Sequence, residues 1–163
     1  MKADSRLRFR PAHRTDAAAI AAMSRLHIEH GLRWRWTPAR VRKQIDDPET
    51  MVLVASLDGE MAGFAIMRFG DLEAHLFLLA VAPWCRRTGI GRALLEWLEK
   101  SCRTAGIRNV RLEVRWGNRQ ARRFYLDNSY RVLGQIAGYY DRREAAVLMG
   151  KSLMPPPEND PNL

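Results

Sequence analysis

Residues 86 to 92 read Arg86-Arg87-Thr88-Gly89-Ile90-Gly91-Arg92, between an apolar run ending Ala80-Val81-Ala82-Pro83 and an amphipathic stretch opening Ala93-Leu94-Leu95. That order reads as a strand, an arginine-flanked glycine turn and a helix start. Two glycines let the backbone turn tightly and leave its N–H groups unobstructed, and the helix start adds unpaired donors and the positive end of its dipole. Such a corner suits a phosphate-bearing ligand. It is neither common nucleotide motif: a P-loop continues Gly-Lys-Ser/Thr and a dinucleotide fingerprint has a third glycine, whereas here Arg92 follows Gly91 and Leu94 takes the third-glycine place. The plain alternative is a helix start whose arginines are merely solvated.

Other residue types that can do chemistry are scattered more widely. Glu73 and His75 fall on the same face of one predicted strand, and Glu113 alternates with Val110, Leu112 and Val114 of another. Glu113 therefore reads either as a base or as a solvent-facing carboxylate paired with Arg111 or Arg115. Tyr125 taken alone reads as a half-buried packing residue. His27 and His30 roughly share a helix face, but no third ligand is spaced to complete a metal site, so no metal is expected. Trp34 and Trp36, in an arginine-rich loop, serve either as an aromatic wall for a substrate or as packing against the sheet. Cys85 beside the glycine corner is expected to be a bystander thiol.

The elements that must position these residues come in a mixed order. Leu7, Phe9 and Pro11 suggest a first strand, and Thr15 looks like the N-cap of a helix carrying Ile20, Met23 and Leu26 and ended by Gly31. Thr37-Pro38 opens a short second helix with Val41 and Ile45, stopped by Asp46-Asp47-Pro48. The period then changes to two: Met51 to Leu57 and Met61 to Phe69 flank the turn pair Asp58-Gly59, and Leu72 to Val81 follows. After the glycine-led helix, capped by Gly106, come a strand over Asn109 to Arg115 and a helix starting at Gly117-Asn118. Closing strands are expected over Tyr130 to Ile136 and Ala145 to Leu153, with Tyr139-Tyr140 between them. Residues 1–153 are expected to form one domain, and 154–163, rich in proline and polar residues, a disordered tail.

Composition bounds the function classes. The 163 residues are 47% hydrophobic, enough for a real core, and the net charge of +9 favours an anionic partner. The 27 basic residues are 23 Arg and 4 Lys spread along the chain, without the aromatic-basic interleaving of a nucleic-acid motif, so direct nucleic-acid binding is not expected. Ala17 to Met23 and Leu76 to Ala82 are the longest apolar stretches, far short of the ~20 residues of a spanning helix. With two cysteines and no signal peptide, a reduced cytoplasmic setting is expected.

Taken together, the element order and Arg86-Arg87-Thr88-Gly89-Ile90-Gly91 resemble the GNAT superfamily of N-acetyltransferases, whose Arg/Gln-x-x-Gly-x-Gly/Ala segment binds the pyrophosphate of acetyl-coenzyme A. Leu112-Glu113-Val114-Arg115, Asn118, Phe124-Tyr125, Tyr139-Tyr140 and Trp36-Thr37 fall at the spacing of the RimI-like branch, enzymes resembling ribosomal-protein alanine N-acetyltransferases. The resemblance implies an α/β (α+β) fold: a mixed, mostly antiparallel sheet of about seven strands flanked by about four helices, with a V-shaped gap between the fourth and fifth strands. It implies that Leu79, Ala80 and Val81 present backbone to the pantetheine arm, Arg87 through Arg92 hold the pyrophosphate, and Asn118 bonds the arm. Glu113 would be general base and Tyr125 the proton donor to the thiolate, with Glu73 the alternative base or a substrate contact and Trp36, Tyr139 and Tyr140 on the substrate side. A carboxylate can free an attacking amine of its proton, and a phenol can supply one to a sulfur anion.

Ser129-Tyr130 replaces the usual Gly-Phe, Leu78 stands where Asn is frequent, and Glu144-Ala145 lacks the common Glu-Asp. These departures leave acetyl transfer intact and weaken the inference to a ribosomal protein. The acceptor implied is a peptide or protein N-terminus, a ribosomal protein being one candidate, with a small amine such as a polyamine or aminoglycoside as the alternative; the protein would be a monomer or homodimer. A non-catalytic coenzyme A-binding domain and a basic RNA- or ribosome-associated module are the other classes that fit the charge and the corner.

Overall fold

The computed structural model describes residues 6–155, so the expected tail lies, beyond Pro155, outside the described residues. Seven strands form one sheet: β1 (Leu7–Pro11), β2 (Thr50–Leu57), β3 (Glu60–Phe69), β4 (Glu73–Val81), β5 (Asn109–Arg115), β6 (Arg131–Tyr140) and β7 (Glu144–Ser152). Their spatial order is β1-β2-β3-β4-β5-β7-β6, and every neighbouring pair is antiparallel except β4 and β5. Helices α1 (Ala17–His27) and α2 (Pro38–Asp46) pack on one face, α3 (Ile90–Thr104) and α4 (Arg119–Asp127) on the other.

Local chemistry accounts for most boundaries. Asp58 and Gly59 take φ of 52° and 87°, the left-handed pair that a two-residue hairpin between right-twisted strands demands. Thr37 caps α2 by accepting the Arg40 N–H, and Asn118 caps α4 by accepting the Ala121 N–H at 3.0 Å. On α3, Leu94, Leu95 and Leu98 are buried against the sheet, each stabilising the fold by roughly 1.5–3 kcal/mol. No helix among the described residues is long and apolar enough to cross a membrane.

Several expectations need correction. Thr15 caps nothing: it lies in a 3-10 turn, Arg14–Asp16, and α1 starts only at Ala17. Asp16 takes the capping role by accepting the His13 N–H at 2.7 Å, held by Arg10, which keeps its carboxyl below the usual range. Leu26 points to solvent, and α1 ends at His27, before Gly31. Tyr139 and Tyr140 belong to β6 rather than to a connection, because the turn needs only three residues, two of them (Asp141 and Arg142) at φ of 50° and 56°.

The most consequential irregularity lies in β4. Ile66 faces Leu78 but Met67 faces Leu76, so Phe77 is an extra residue, a β-bulge. Ala74 and Leu76 consequently face the α3 side, whereas Leu78 and Ala80 face α1 and α2. Leu79 and Val81 are thereby turned, half-buried, to the α3 side.

Candidate active site

β4 and β5 pair only from Glu73↔Asn109 to His75↔Arg111 and then part, β4 staying with β3 and β5 with β7. The wedge opens into a cavity of about 790 Å³. Leu79, Ala80 and Val81 line it from β4, Glu113 from β5, and Asn118 and Tyr125 from the start and body of α4. Arg86, Arg87, Gly89, Ile90, Gly91 and Arg92 supply the far end. Twelve residues read from sequence as site residues thus converge on one space.

The glycine corner is built as an anion cradle. Gly89 has φ of 86° and Arg87 of 61°, so the turn enters the helix through left-handed backbone. Unlike α2 and α4, α3 has no side-chain cap, and its first intrahelical bond is Ala93 N–H to Gly89 C=O at 3.0 Å. The N–H groups of Ile90, Gly91 and Arg92 are therefore left without an intrahelical acceptor, at the positive end of the helix dipole. Gly91 also has the Phe124 ring 3.3 Å from where a Cβ would stand. Arg86 Nε donates to the Val81 carbonyl at 3.1 Å and ties the corner to the strand end. Thr88 does not line the cavity; its hydroxyl donates to the Cys85 carbonyl and closes the turn. Arg92 is solvent-facing and paired with Glu96 at 2.9 Å. Cys85 is buried, its thiol donating to the Ala62 and Ala82 carbonyls, and burial pushes its pKa up, which makes it inert packing.

Asn118 spends its carbonyl oxygen on the α4 cap, so its amide N–H groups are what it can offer the cavity. Tyr125 is 7% exposed, its ring held edge-on by Phe124 at 5.1 Å and Tyr130 at 5.5 Å. No described residue accepts a hydrogen bond from its hydroxyl. Burial pushes its pKa above the ordinary phenol range, so at neutral pH it holds a proton to give.

Glu113 stands two residues beyond the last β4–β5 pair, at the apex of the wedge. Its Oε2 lies 2.5 Å from His75 Nε2 and its Oε1 takes Arg111 Nη1 at 3.1 Å. With the carboxylate ionised, His75 Nε2–H is the donor. Glu73 forms an ion pair with the other side of Arg111 but does not line the cavity. Of the two carboxylates, Glu113 is the one that lines the cavity.

On the remaining side, Tyr140 lines the cavity and packs edge-on against the more exposed Tyr139, with rings 4.9 Å apart. Burial, then the Glu113 charge, pushes the Tyr139 hydroxyl pKa up. Trp36 is not a cavity wall: it is buried among Ile20, Val41 and Leu78, with Phe77 5.7 Å from its ring. The packing alternative is thus the correct one, because Leu78 gives that ring an apolar neighbour.

Sequence reasoning missed the residues that hold the acceptor side together. Buried Glu29 accepts from Ser24 Oγ at 2.9 Å and from the Arg35 and Trp36 N–H groups at 2.7 and 3.2 Å, pinning the loop after α1. Arg115 pairs with Glu144 and donates to the His30 carbonyl at 2.6 Å. His75 was visible only as a neighbour of Glu73. Its contact with Glu113 carries no local signal.

The chain resembles known proteins in sequence and in fold. The [ribosomal protein bS18]-alanine N-acetyltransferase of Escherichia coli K12 is 39% identical over 95 residues, 56% of this chain, and the match spans 64% of that relative's length. The crystal structure of the Escherichia coli enzyme superimposes with a TM-score of 0.79 at 28% identity, covering 94% of this chain and 98% of that one. An N-alpha-acetyltransferase of Sulfurisphaera tokodaii is 28% identical over 159 residues, covering 90% of this chain and 93% of its own. An aminoglycoside 6'-N-acetyltransferase complexed with coenzyme A shares the fold, with a TM-score of 0.77 at 18% identity over 93% of this chain and 99% of that one. A family model described as acetyltransferase (GNAT) family matches residues 20–129, more than half of the sequence and the stretch from within α1 through α4, so the chain belongs to the GNAT acetyltransferase family.

Proposed function

We propose that this protein transfers the acetyl group of acetyl-coenzyme A directly to the α-amine of a peptide or protein N-terminus. The observation that carries this is the convergence, on one wedge-shaped cavity, of a carboxylate at the apex, a protonated tyrosine on the opposite wall and an uncapped helix start at the far end. The free N–H groups of Ile90, Gly91 and Arg92 fit a pyrophosphate, the exposed edge of Leu79 to Val81 fits an amide-bearing arm laid like an added strand, and the Asn118 amide can donate to a carbonyl on that arm. Glu113 takes the proton of the acceptor ammonium, the amine forms the new C–N bond at the thioester carbonyl, and the C–S bond breaks. Tyr125 Oη gives its proton to the departing sulfur, and the second proton that the nitrogen sheds as it becomes an amide restores the phenol. His75 and Arg111 hold the Glu113 carboxylate in place for the first of these transfers.

An α-amine has a reference pKa near ~8 against ~10.4 for lysine, so its neutral form at pH 7 is more abundant by over two orders of magnitude, and one carboxylate base suits it better. A peptide with a free N-terminal small residue is therefore expected to be acetylated faster than the same peptide blocked at its N-terminus and carrying an internal lysine. Mass spectrometry locates the acetyl group. Label mostly on lysine, or turnover of spermidine with none on peptides, points instead to a small-amine acetyltransferase.

The base assignment has its own test. At pH 7 about a tenth of an α-amine is already neutral, so Glu113→Gln is expected to slow transfer about tenfold there and to approach the wild-type rate as pH rises past ~8. His75→Ala should show a weaker loss with the same pH trend, since it removes only a hydrogen bond to that carboxylate. A flat pH-independent loss in both variants, or a crippled Glu73→Gln beside a silent Glu113→Gln, moves the base elsewhere.

A further inference from the structure

The loop from Gly31 to Arg35 and the turn from Asp141 to Arg143 meet next to Tyr140, a wall of the transfer cavity. Asp141 joins them, its Oδ2 accepting the Arg33 N–H at 2.7 Å and its Oδ1 taking Arg35 Nη2 at 3.2 Å. Around this junction lies a second cavity, of about 520 Å³, whose charged lining is Arg33, Arg35, Arg142 and Arg143 against the single carboxylate of Asp141. Both oxygens of that carboxylate are engaged. Among the described residues no carboxylate pairs with the side chains of Arg33, Arg142 or Arg143, and all three are exposed.

A further cation reaches the same region. The Arg40 guanidinium lies 3.9 Å over the Trp36 ring, and Trp36, Phe77, His75 and Glu113 follow in successive contact. Tyr139, next to Tyr140 on β6, lies near enough to Glu113, Arg111, Arg35 and Arg40 for their charges to bear on its hydroxyl. An amine seated at Glu113 therefore leads whatever follows it past a rim of guanidinium groups of which, among the described residues, only Arg35 is paired with a carboxylate.

We infer that this rim selects the acceptor by charge: the preferred peptide carries acidic side chains at its second to fourth residues, received by Arg33, Arg35, Arg40, Arg142 and Arg143. This rests on the N-terminal reading above and deepens it. Residues two to four of an extended peptide lie roughly 3 to 10 Å beyond its amine, so their side chains rather than the amine itself would meet such a rim. Guanidinium forks match carboxylates bidentately, and like charges at the same positions cost binding. A nucleic-acid backbone is the other polyanion that arginines hold. The rim lines a recess adjoining the transfer cavity rather than running as a stripe along a face, which favours the peptide.

The test uses three alanine-led peptides of equal length whose second to fourth residues are acidic, neutral or basic. At low salt the acidic peptide is expected to exceed the basic one in kcat/KM by about 10- to 100-fold, mostly through KM, and the ratio should fall to a few-fold near ~0.5 M NaCl. In the doubly reversed variant Arg142→Glu with Arg143→Glu, on an exposed turn, the order of preference should invert, with KM for the acidic peptide rising about tenfold. Equal or faster turnover of the basic peptide, or an unchanged order in the reversed variant, overturns the inference while leaving N-terminal acetylation standing. So does competition by a short RNA oligonucleotide with no dependence on peptide charge. Failure of all three peptides beside turnover of a small amine overturns the inference together with the N-terminal reading.

Discussion

Tyr125→Phe is expected to bind acetyl-coenzyme A as the wild type does and to lose transfer by roughly 10²- to 10⁴-fold, the range for removing a positioned proton donor. The substitution keeps the ring, so the edge-on packing with Phe124 and Tyr130 survives. It deletes a hydroxyl that no described residue accepts from, so no protein hydrogen bond is lost with it. Tyr130→Phe is the matched control. Tyr130 belongs to the same aromatic stack, and its hydroxyl is buried with no hydrogen-bond partner among the described residues and does not line the cavity. Removing it should leave transfer intact and leave stability unchanged or raised, because an unpaired buried hydroxyl is a cost to the folded state. Single-turnover kinetics beside calorimetric cofactor binding separates the two tyrosines. An active Tyr125→Phe removes the proton-donor role, whatever the control does.

Gly91→Val should weaken cofactor binding severely without unfolding the protein. A Cβ at this position meets the Phe124 ring at 3.3 Å and Val81 Cγ2 at 3.4 Å, so alanine needs a shift of only a few tenths of an ångström, whereas the two γ carbons of valine have no such room. The helix start would move and its N–H groups would lose their aim. Losing two charge-assisted hydrogen bonds at roughly 1.5 kcal/mol each weakens acetyl-coenzyme A about 10²-fold or more. Arg87→Ala, which removes a side chain but leaves the backbone donors, should cost about tenfold at most. Gly89 is a different case: its Cβ meets open space, but φ of 86° penalises any side chain through backbone strain. Wild-type affinity in a folded Gly91→Val would place the pyrophosphate elsewhere.

Features governed by neighbours in the chain were legible in the amino-acid order. Asp58-Gly59 makes the hairpin, Thr37 and Asn118 cap their helices, and Gly89 and Gly91 shape the corner, because each depends on a few φ/ψ angles and on hydrogen bonds spanning three or four residues. The period-two alternation of Val110, Leu112 and Val114 likewise put Glu113 on the face opposite the core. Resemblance added the wedge, and the expectation that Glu113, Asn118 and Tyr125 line it.

Only the tertiary structure could decide how the faces meet. The bulge at Phe77 flips β4 halfway along, so no alternation pattern read from Leu72 to Val81 could tell that Leu76 and Leu78 face opposite layers. That flip gives Leu78 and Phe77 to Trp36 and makes a core residue of an expected substrate wall. His75 and Glu113 are 38 residues apart and touch because β4 and β5 run parallel and separate just past His75↔Arg111. Thr15 and Leu26 followed propensity and periodicity, but Asp16 had the tertiary partner Arg10, and nothing packs over Leu26. The arginine rim depends on two loops more than a hundred residues apart meeting at Asp141. Local sequence sets backbone conformation and which face is apolar; register, bulges and loop docking depend on which distant surfaces pack together, and those bring Glu113, His75 and Arg111 together and set the arginine loops beside Tyr140.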